Sequence, residues 1–371
     1  MKKVLFSTNK RQVAEWKTPI LIYGTGLVAQ DVWRVLTSKG IPISCFIDYR
    51  TRENPFLAGV PISPPDSPSI KERAQTFIIL AIHNREVNMP PLISRLKGLG
   101  YTQFITMIDL YDHFADELGR RYWLTERTFY TDYEQEIEST ANMFSDQTSR
   151  DLFESILHFR ITGEYDLLPE PDITHQYFPS DLPPWKKPLR LIDCGAFDGD
   201  TIKSILSLHI PIEALAAYEP DELNFRELVK TVCENHVLNA MLWPCAVYST
   251  TKRLRFSTGQ GEASLLSNRG EEIIQCVSLD ESAPFFNPTL IKMDIEGAEI
   301  EALHGAENII AKFQPGLAIS IYHAPEHLWE IPMLILEFAN KHDLQYNYYL
   351  RTHAFNSFET VFYAISGKGG S

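Results

Sequence analysis

The stretch LRLIDCGAFDGDT, from Leu189 to Thr201, passes within a few residues from apolar to acidic and glycine-rich. Leu189, Leu191 and Ile192 suit a strand covered on both faces, while Gly195 and Gly199 permit backbone conformations and a close ligand approach that a Cβ would block. Thr201 is then placed to cap a helix running to about Leu208. A second apolar run, LAAYEPDE (215–222), ends in Glu219 and Pro220. The distance from Gly199 to Glu219 is about that of a Rossmann-type unit, in which an acid closing the second strand accepts ribose hydroxyls.

The loop does not spell the dinucleotide fingerprint, because Asp193 and Asp198 place carboxylates where a pyrophosphate needs only backbone amides. Acids suit a cationic ligand. S-adenosylmethionine carries an ammonium, a sulfonium and an adenosine ribose but no diphosphate, so it fits better than NAD. The plainer reading is a glycine turn with surface acids, and Glu219 in its strand context argues against it.

Around this core stand YEPD (218–221), VSLDE (277–281), IKMDIEGAEIEALHGAENII (291–310), SIYHAPEHLWEIP (320–332) and ETVFYAI (359–365). With DCGAFDGDT (193–201), the set resembles the S-adenosylmethionine-dependent methyltransferases of the FkbM type over Leu189 to Ile365. Phe197 departs from the pattern, since many relatives have Asn there. The resemblance implies a class I methyltransferase sheet, mostly parallel with a C-terminal antiparallel hairpin. It also implies a cofactor set of Asp193, Gly195, Ala196, Phe197, Asp198, Gly199, Thr201, Glu219 and Pro220. Along the chain, NAMLWPCAVYS (239–249) reads as the third strand, its end at Ala246 and Val247 lying beside the adenine.

With 371 residues, two domains are the natural expectation. A formal charge of -14, from 34 basic against 48 acidic residues, works against attraction to nucleic acid or anionic membranes. The five cysteines are scattered without a CxxC pair, so neither a disulfide framework nor a zinc knuckle is suggested. The start MKKVLFSTNKRQ has too short an apolar run for a signal segment, and no stretch reaches transmembrane length, so a cytoplasmic location is expected.

Upstream, PILIYGTGLVAQDVWRVLTS (19–38) reads as a buried strand, a Gly24-x-Gly26-x-x-Ala29 turn and an amphipathic helix. ISCFIDYR (43–50) ends in Asp48, where a ribose-binding acid would sit in an NAD site. TFIILAI (76–82), a helix near Met89 to Gly98 and QFITMIDLYD (103–112) continue the alternation and predict a small parallel sheet. This region is loosely similar to the Rossmann-like N-terminal domain of some sugar-modifying enzymes. Gly24, Gly26 and Asp48 form either a nucleotide site or a degenerate turn used for packing. The expected fold is thus α/β with two Rossmann-like domains: a Rossmann-like N-terminal domain over 1–115, a helical bridge and proline-rich connector over 116–185, and a methyltransferase domain over 186–371. The connector's aromatic residues either close over a ligand or pack as an ordered linker. A chain begun near Asp181 is expected to fold by itself.

Methyl transfer from a sulfonium needs an aligned acceptor and gains from removal of its proton. TLIKMDI (289–295) reads as the fourth core strand, and Asp294 and Glu296 beyond Lys292 fall at its carboxyl end, where open α/β sheets bind ligands. Asp294 is the first candidate for positioning the acceptor or taking its proton. Glu296 is another, although its charge also suits the next helix N-terminus. His323 ends the following strand and is the second base candidate, against a core histidine. His323 and His327 have the spacing of a zinc pair, but Pro325 intervenes and the order is not HExxH, so no metal is expected.

The sequence therefore predicts an S-adenosylmethionine-dependent methyltransferase working on a hydroxyl of a small-molecule or carbohydrate acceptor, without nucleic acid or membrane partners. A homo-oligomer is compatible with it. The alternatives are a nucleotide- or nucleotide-sugar-binding oxidoreductase or epimerase-like protein using the N-terminal unit, which lacks a following Tyr-x-x-x-Lys set, and a non-catalytic nucleotide-binding protein.

Overall fold

The computed structural model describes residues 20–49, 55–256 and 272–367. The described chain divides into two compact units. One comprises residues up to Glu134 with Leu152–Glu170 and Ala354–Phe358, and the other Gln135–Asp151, Pro171–His353 and the chain from Glu359. No helix among the described residues is long and apolar enough to cross a membrane.

In the first unit, β1 (Ile20–Tyr23), β2 (Cys45–Ile47), β3 (Phe56–Leu57), β4 (Val60–Ser63), β5 (Phe77–Leu80) and β6 (Gln103–Ile105) form one sheet in the order β3-β4-β2-β1-β5-β6. All pairs are parallel except β3 with β4. Every residue of β1 is buried, as its unbroken ILIY run requires of a strand covered on both faces. Helices α1 (Leu27–Ser38), α2 (Met89–Gly98), α3 (Met107–Leu118) and α4 (Arg127–Asp132) accompany the sheet. Helix α1 buries Ala29, Val32, Val35 and Leu36, a stripe at helical spacing. The expected parallel sheet is present.

The second unit is built on β7 (Leu189–Cys194), β8 (Ile212–Tyr218) and β9 (Ala240–Trp243), a separate small sheet of β10 (Ala246–Val247), β11 (Lys252–Phe256) and β12 (Glu272–Val277), and then β13 (Leu290–Met293), β14 (Gly316–Ser320), β15 (Tyr346–Thr352) and β16 (Thr360–Ser366). The main sheet runs β15-β16-β14-β13-β7-β8-β9, and only β16 is reversed against its neighbours. That is the expected mostly parallel sheet with a closing antiparallel hairpin. Helices α5 (Glu134–Met143), α6 (Gln147–Thr162), α7 (Asp200–Ser207), α8 (Glu222–Glu234), α9 (Leu279–Ser282), α10 (Glu299–His304), α11 (Glu307–Phe313) and α12 (His327–Lys341) complete the chain, α6 passing from one unit to the other.

Because β8 and β9 lie to one side of β7 while β13 and β14 lie to the other, the strand order reverses between β7 and β13. Open α/β sheets leave a crevice at that point, outside the carboxyl ends of the strands.

Three expectations are corrected here. Ala246 and Val247 do not end the third strand. That strand stops at Trp243, and after Pro244 and Cys245 the chain joins the small sheet beside β12. Thr201 does not cap α7; Gly199 does, with no side-chain cap, and Thr201 is buried in the first turn. The boundaries at 115 and 185 also differ from the structure, since part of the presumed bridge packs in the second unit. There Ser145 and Ser149 accept the N–H groups of Tyr348 and Leu350 on edge strand β15 (2.9 and 2.8 Å), and Arg351 binds Asp146 at 2.7 Å. The run ASLLSN (263–268), whose sequence reads as a short extended segment of an insertion, lies outside the described residues.

A chain begun near Asp181 loses these partners and leaves β15 as an unpaired edge, so it is now expected to be insoluble, in contrast to the full chain. Within the full chain, Ser149→Ala removes the acceptor for Leu350 N and one of the acceptors for Arg351 Nη1. A loss of about 1 to 3 kcal/mol is expected, read as a lower denaturant midpoint.

Candidate active site

The crevice begins with a close backbone approach. Gly195 has φ +75°, and a Cβ there would lie 2.0 Å from the carbonyl oxygen of Asp294. Only glycine lets the loop after β7 cross the end of β13. Register then decides the next contact: Asp193 on β7 is paired with Lys292 on β13, so their side chains share one face. Lys292 Nζ stands 3.0 Å from Asp193 Oδ1 and donates to the Gly195 carbonyl at 2.6 Å. Both side chains are buried. Burial raises the Asp193 carboxyl to about 6 against the pull of Lys292. Burial works against the charge of Lys292, but Asp193 and then Asp294 hold its pKa above the usual value. Asp193 thus neutralises the chain's own lysine; the sequence reading had directed its charge at a ligand.

Glu219 follows β8 and is buried. Its Oε2 accepts the Phe197 N–H at 2.9 Å and its Oε1 accepts the Asp221 N–H at 2.8 Å. One carboxylate therefore holds the loop above it and the start of α8, while each oxygen keeps a second acceptor position. Burial raises its pKa. Phe197 sits at φ +47° and the residue is 52% exposed. The left-handed region tolerates Asn better than an aromatic residue. Ala196 donates to the Tyr218 carbonyl at 3.0 Å, and Asp198 accepts Lys203 at 2.9 Å on the surface. Gly199, at φ +86°, leaves no room for a Cβ against Thr231 of α8. Pro220 is half-buried between Glu219 and the α8 cap Asp221.

Beyond β13 the chain leaves the sheet, so Asp294 and Glu296 lie on a loop and not in a strand. Glu296 has φ +56°. Likewise β14 ends at Ser320, and His323 stands three residues past it. The loops bring these residues together. His323 Nε2 is 3.3 Å from Asp294 Oδ1 and 3.7 Å from Glu296 Oε2, and Nδ1 is 2.8 Å from Glu299 Oε1. Glu299 also accepts the Ile295 N–H at 2.9 Å and lies 3.4 Å from His327 Nδ1.

The electrostatics follow. Burial disfavours an imidazolium at His323, but Glu299, with Glu296 and Asp294, outweighs it and raises the pKa to about 10. Burial alone would raise Glu299; the cationic His323 instead brings it to about 2. Glu296 is pushed up to about 8 by burial, with Asp294, Glu299 and Glu359 adding to the rise against His323. The surrounding carboxylates thus favour the protonated imidazole at His323. The cluster Asp294, Glu299 and His323 has metal-ligand atoms within 4.8 Å of one another.

Two further elements complete the site. The Tyr177 hydroxyl donates to Asp294 Oδ2 at 3.0 Å. The single proton of the Tyr322 hydroxyl is shared between Asp294 Oδ1 at 3.4 Å and Glu359 Oε1 at 3.2 Å. Tyr177, Tyr322, Glu299 and Glu359 were missed in the sequence. Tyr177 belongs to the aromatic connector whose closure over a ligand was one of two readings, while Glu299 is marked only by its place in the run after Asp294.

In the first unit, Gly24 (φ +104°) and Gly26, which begins α1 without a side-chain cap, reach the carboxyl edge of the sheet together with Asp48. Asp48 Oδ2 accepts the Thr25 hydroxyl at 2.6 Å.

Lys292→Met leaves the Asp193 charge buried without its cation, and about 3 to 5 kcal/mol of stability should go with it; Asp193→Asn added to that variant should restore most of the loss in denaturant titrations. A second expectation concerns pH. Glu299 has its pKa lowered on folding from 4.5, so its contribution is lost as pH falls from there to about 2. His323 has its pKa raised from 6.5, so its contribution is lost as pH rises from there to about 10. The difference in thermal midpoint between the parent and His323→Gln should be largest between these flanks and should shrink as pH is raised to 10.

Residues 193–349 match the family model of the methyltransferase FkbM domain. Methyltransferase FkbM from Methylobacillus flagellatus KT superposes with a TM-score of 0.75 at 20% identity, covering 93% of this chain and 89% of that chain. A putative rRNA methylase from Clostridium thermocellum superposes with a TM-score of 0.30 at 11% identity over 47% of this chain and 86% of that one. No curated protein sequence matches the chain.

Proposed function

From a chain whose residues 193–349 carry a methyltransferase FkbM domain, we propose an S-adenosylmethionine-dependent O-methyltransferase whose acceptor is a hydroxyl of a sugar, polysaccharide or secondary metabolite. The observation that carries this reading is the crevice between β7 and β13, flanked by the Gly195 loop, with Glu219 at the end of the adjacent strand. Glu219 retains one acceptor position on each oxygen, which suits a ribose diol. S-adenosylmethionine would supply an electrophilic methyl on its sulfonium, held by Glu219 and the loop from Gly195 to Gly199. Gly195 and Gly199 keep that loop free of side chains that would intrude.

The residues after β13 and β14 then take separate roles. Asp294 receives the Tyr177 and Tyr322 hydroxyls as donors and lies 3.3 Å from His323 Nε2, so its side chain is held in place and its task is to orient the acceptor hydroxyl. Glu296, with a pKa of about 8 and a side chain 38% exposed, takes the hydroxyl proton as the methyl bond forms. His323, fixed by Glu299, supplies positive charge beside both carboxylates. The five cysteines are free and four are buried, which suits a reducing cytoplasm.

Calorimetry should give S-adenosylmethionine binding in the parent and a loss of about 1 to 3 kcal/mol in Glu219→Ala. An unchanged affinity removes Glu219 from the cofactor site. With an acceptor in hand, kcat should rise with pH through about 8. Glu296→Gln should lose that rise and about 10² to 10⁴ in rate while still binding S-adenosylmethionine. A parent-like profile in this variant would exclude Glu296 as the base.

A further inference from the structure

The first unit contains a group of buried hydrogen-bond donors that the methyltransferase chemistry does not use. Arg160, in the last turn of α6, is 1% exposed. Its Nε donates to Ser357 at 3.3 Å and the neutral Tyr130 hydroxyl interacts with its guanidinium, while Nη1 and Nη2 make no hydrogen bond of full geometry among the described residues. The guanidinium lies 5.1 Å from the ring of Trp123, whose Nε1 is also buried without a partner. The ring of His83 is 5.0 Å from Trp123, and His83 Nε2 is a third orphan.

Neighbouring arginines are treated differently. Arg127 binds both Asp109 and Asp112, and Arg121 binds Asp31 at 2.9 Å. Arg160 has no carboxylate among the described residues, although a guanidinium keeps its charge and an unpaired buried charge is costly. The electrostatic consequence is visible at His83, where burial and then Arg121 and Arg160 push the pKa well below its usual value. The imidazole is therefore neutral, and cationic surroundings favour an anion beside it.

The position matters as much as the charge. His83 follows β5, and β5 neighbours β1 in register from Ile20↔Phe77 to Tyr23↔Leu80. The order β2-β1-β5 makes this pair the switch point of the first sheet, where Gly24 to Gly26 and Ala81 to His83 leave adjacent strand ends. Ligands of open α/β sheets bind at such ends.

We propose that the first unit binds a phosphoryl group, with Arg160 as its counter-charge and His83 Nε2 and Trp123 Nε1 as additional donors. Arg160 Nη1 and Nη2 can take two oxygens side by side, and a phosphoryl group has a third oxygen for the remaining donors, which a carboxylate lacks. The ligand is either inorganic phosphate or the phosphate of a nucleotide.

The test uses the full chain with S-adenosylhomocysteine at saturation, so that a nucleoside cannot enter the second unit. Inorganic phosphate and UDP are titrated separately by calorimetry. Saturable binding is expected, at least about 10-fold weaker in Arg160→Met and weakened in His83→Phe, with unchanged circular dichroism. Equal affinity for both probes would assign recognition to the phosphoryl group alone, and a preference for UDP would add the nucleoside; both support the site. The proposal is overturned if neither probe binds the parent at millimolar concentration, or if Arg160→Met binds as the parent does. Should Arg160→Met fail to fold, parent-like binding in His83→Phe rejects the proposal.

Discussion

The contact between the loop after β7 and the end of β13 sets the geometry of everything around it in the second unit. Gly195 crosses so close to the Asp294 carbonyl that a single Cβ is excluded. Lys292 ties the two strands by bridging Asp193 and the Gly195 carbonyl. An ion pair of this kind contributes little net stability compared with apolar packing of the same volume, but breaking it is expensive because one charge is stranded. Its effect is therefore mainly on register. It holds β7 and β13 so that the loop toward Glu219 and the loop bearing Asp294 and Glu296 open on one crevice.

Charge balance shapes the acceptor side. Asp294, Glu296 and Glu299 gather round His323, and Glu359 acts on Glu296. At close range in a buried setting, like charges cannot all persist, and the system answers in two ways. The imidazole keeps a proton far above its usual range, and Glu296 holds its own proton to about 8. A raised pKa works against the histidine as a neutral-pH base, while the Glu296 side chain keeps some exposure to solvent.

How much of this was legible in the sequence depended on whether the signal was local. The β7 loop, Glu219 and the mostly parallel sheet were readable because strand, glycine turn and closing acid follow one another in the chain. The sequence reading carried β13 to Ile295 and the next strand to His323, whereas the strands stop at Met293 and Ser320. Apolar residues such as Ile295 and Ile321 continue past the sheet, so composition does not mark the last hydrogen-bonded pair. The same limit moved Ala246 and Val247 from the third strand into the small sheet. Tyr177 was out of reach because its partner, Asp294, lies 117 positions away. Ser149 likewise serves Leu350 across the chain, which is why a boundary drawn from the proline-dense connector cut through a packed unit.

The two units apply one architectural rule to opposite chemistries. Each places glycine-bearing loops at the carboxyl ends of strands where the order reverses. In the second, the side chains collected beyond those ends are chiefly acceptors, with carboxylates outnumbering the cations they enclose. In the first, Asp48 is an acceptor at the end of β2, whereas donors collect around His83, and Arg160 has kept a charge that no carboxylate meets among the described residues. Desolvated charges select strongly by sign, since a ligand of the wrong sign adds repulsion to its own desolvation. A phosphorylated ligand is thus disfavoured beside Asp294 and Glu296, whereas hydroxyl-bearing or cationic groups find acceptors there. The strand-end framework is shared, and the buried side chains beyond it differ in sign.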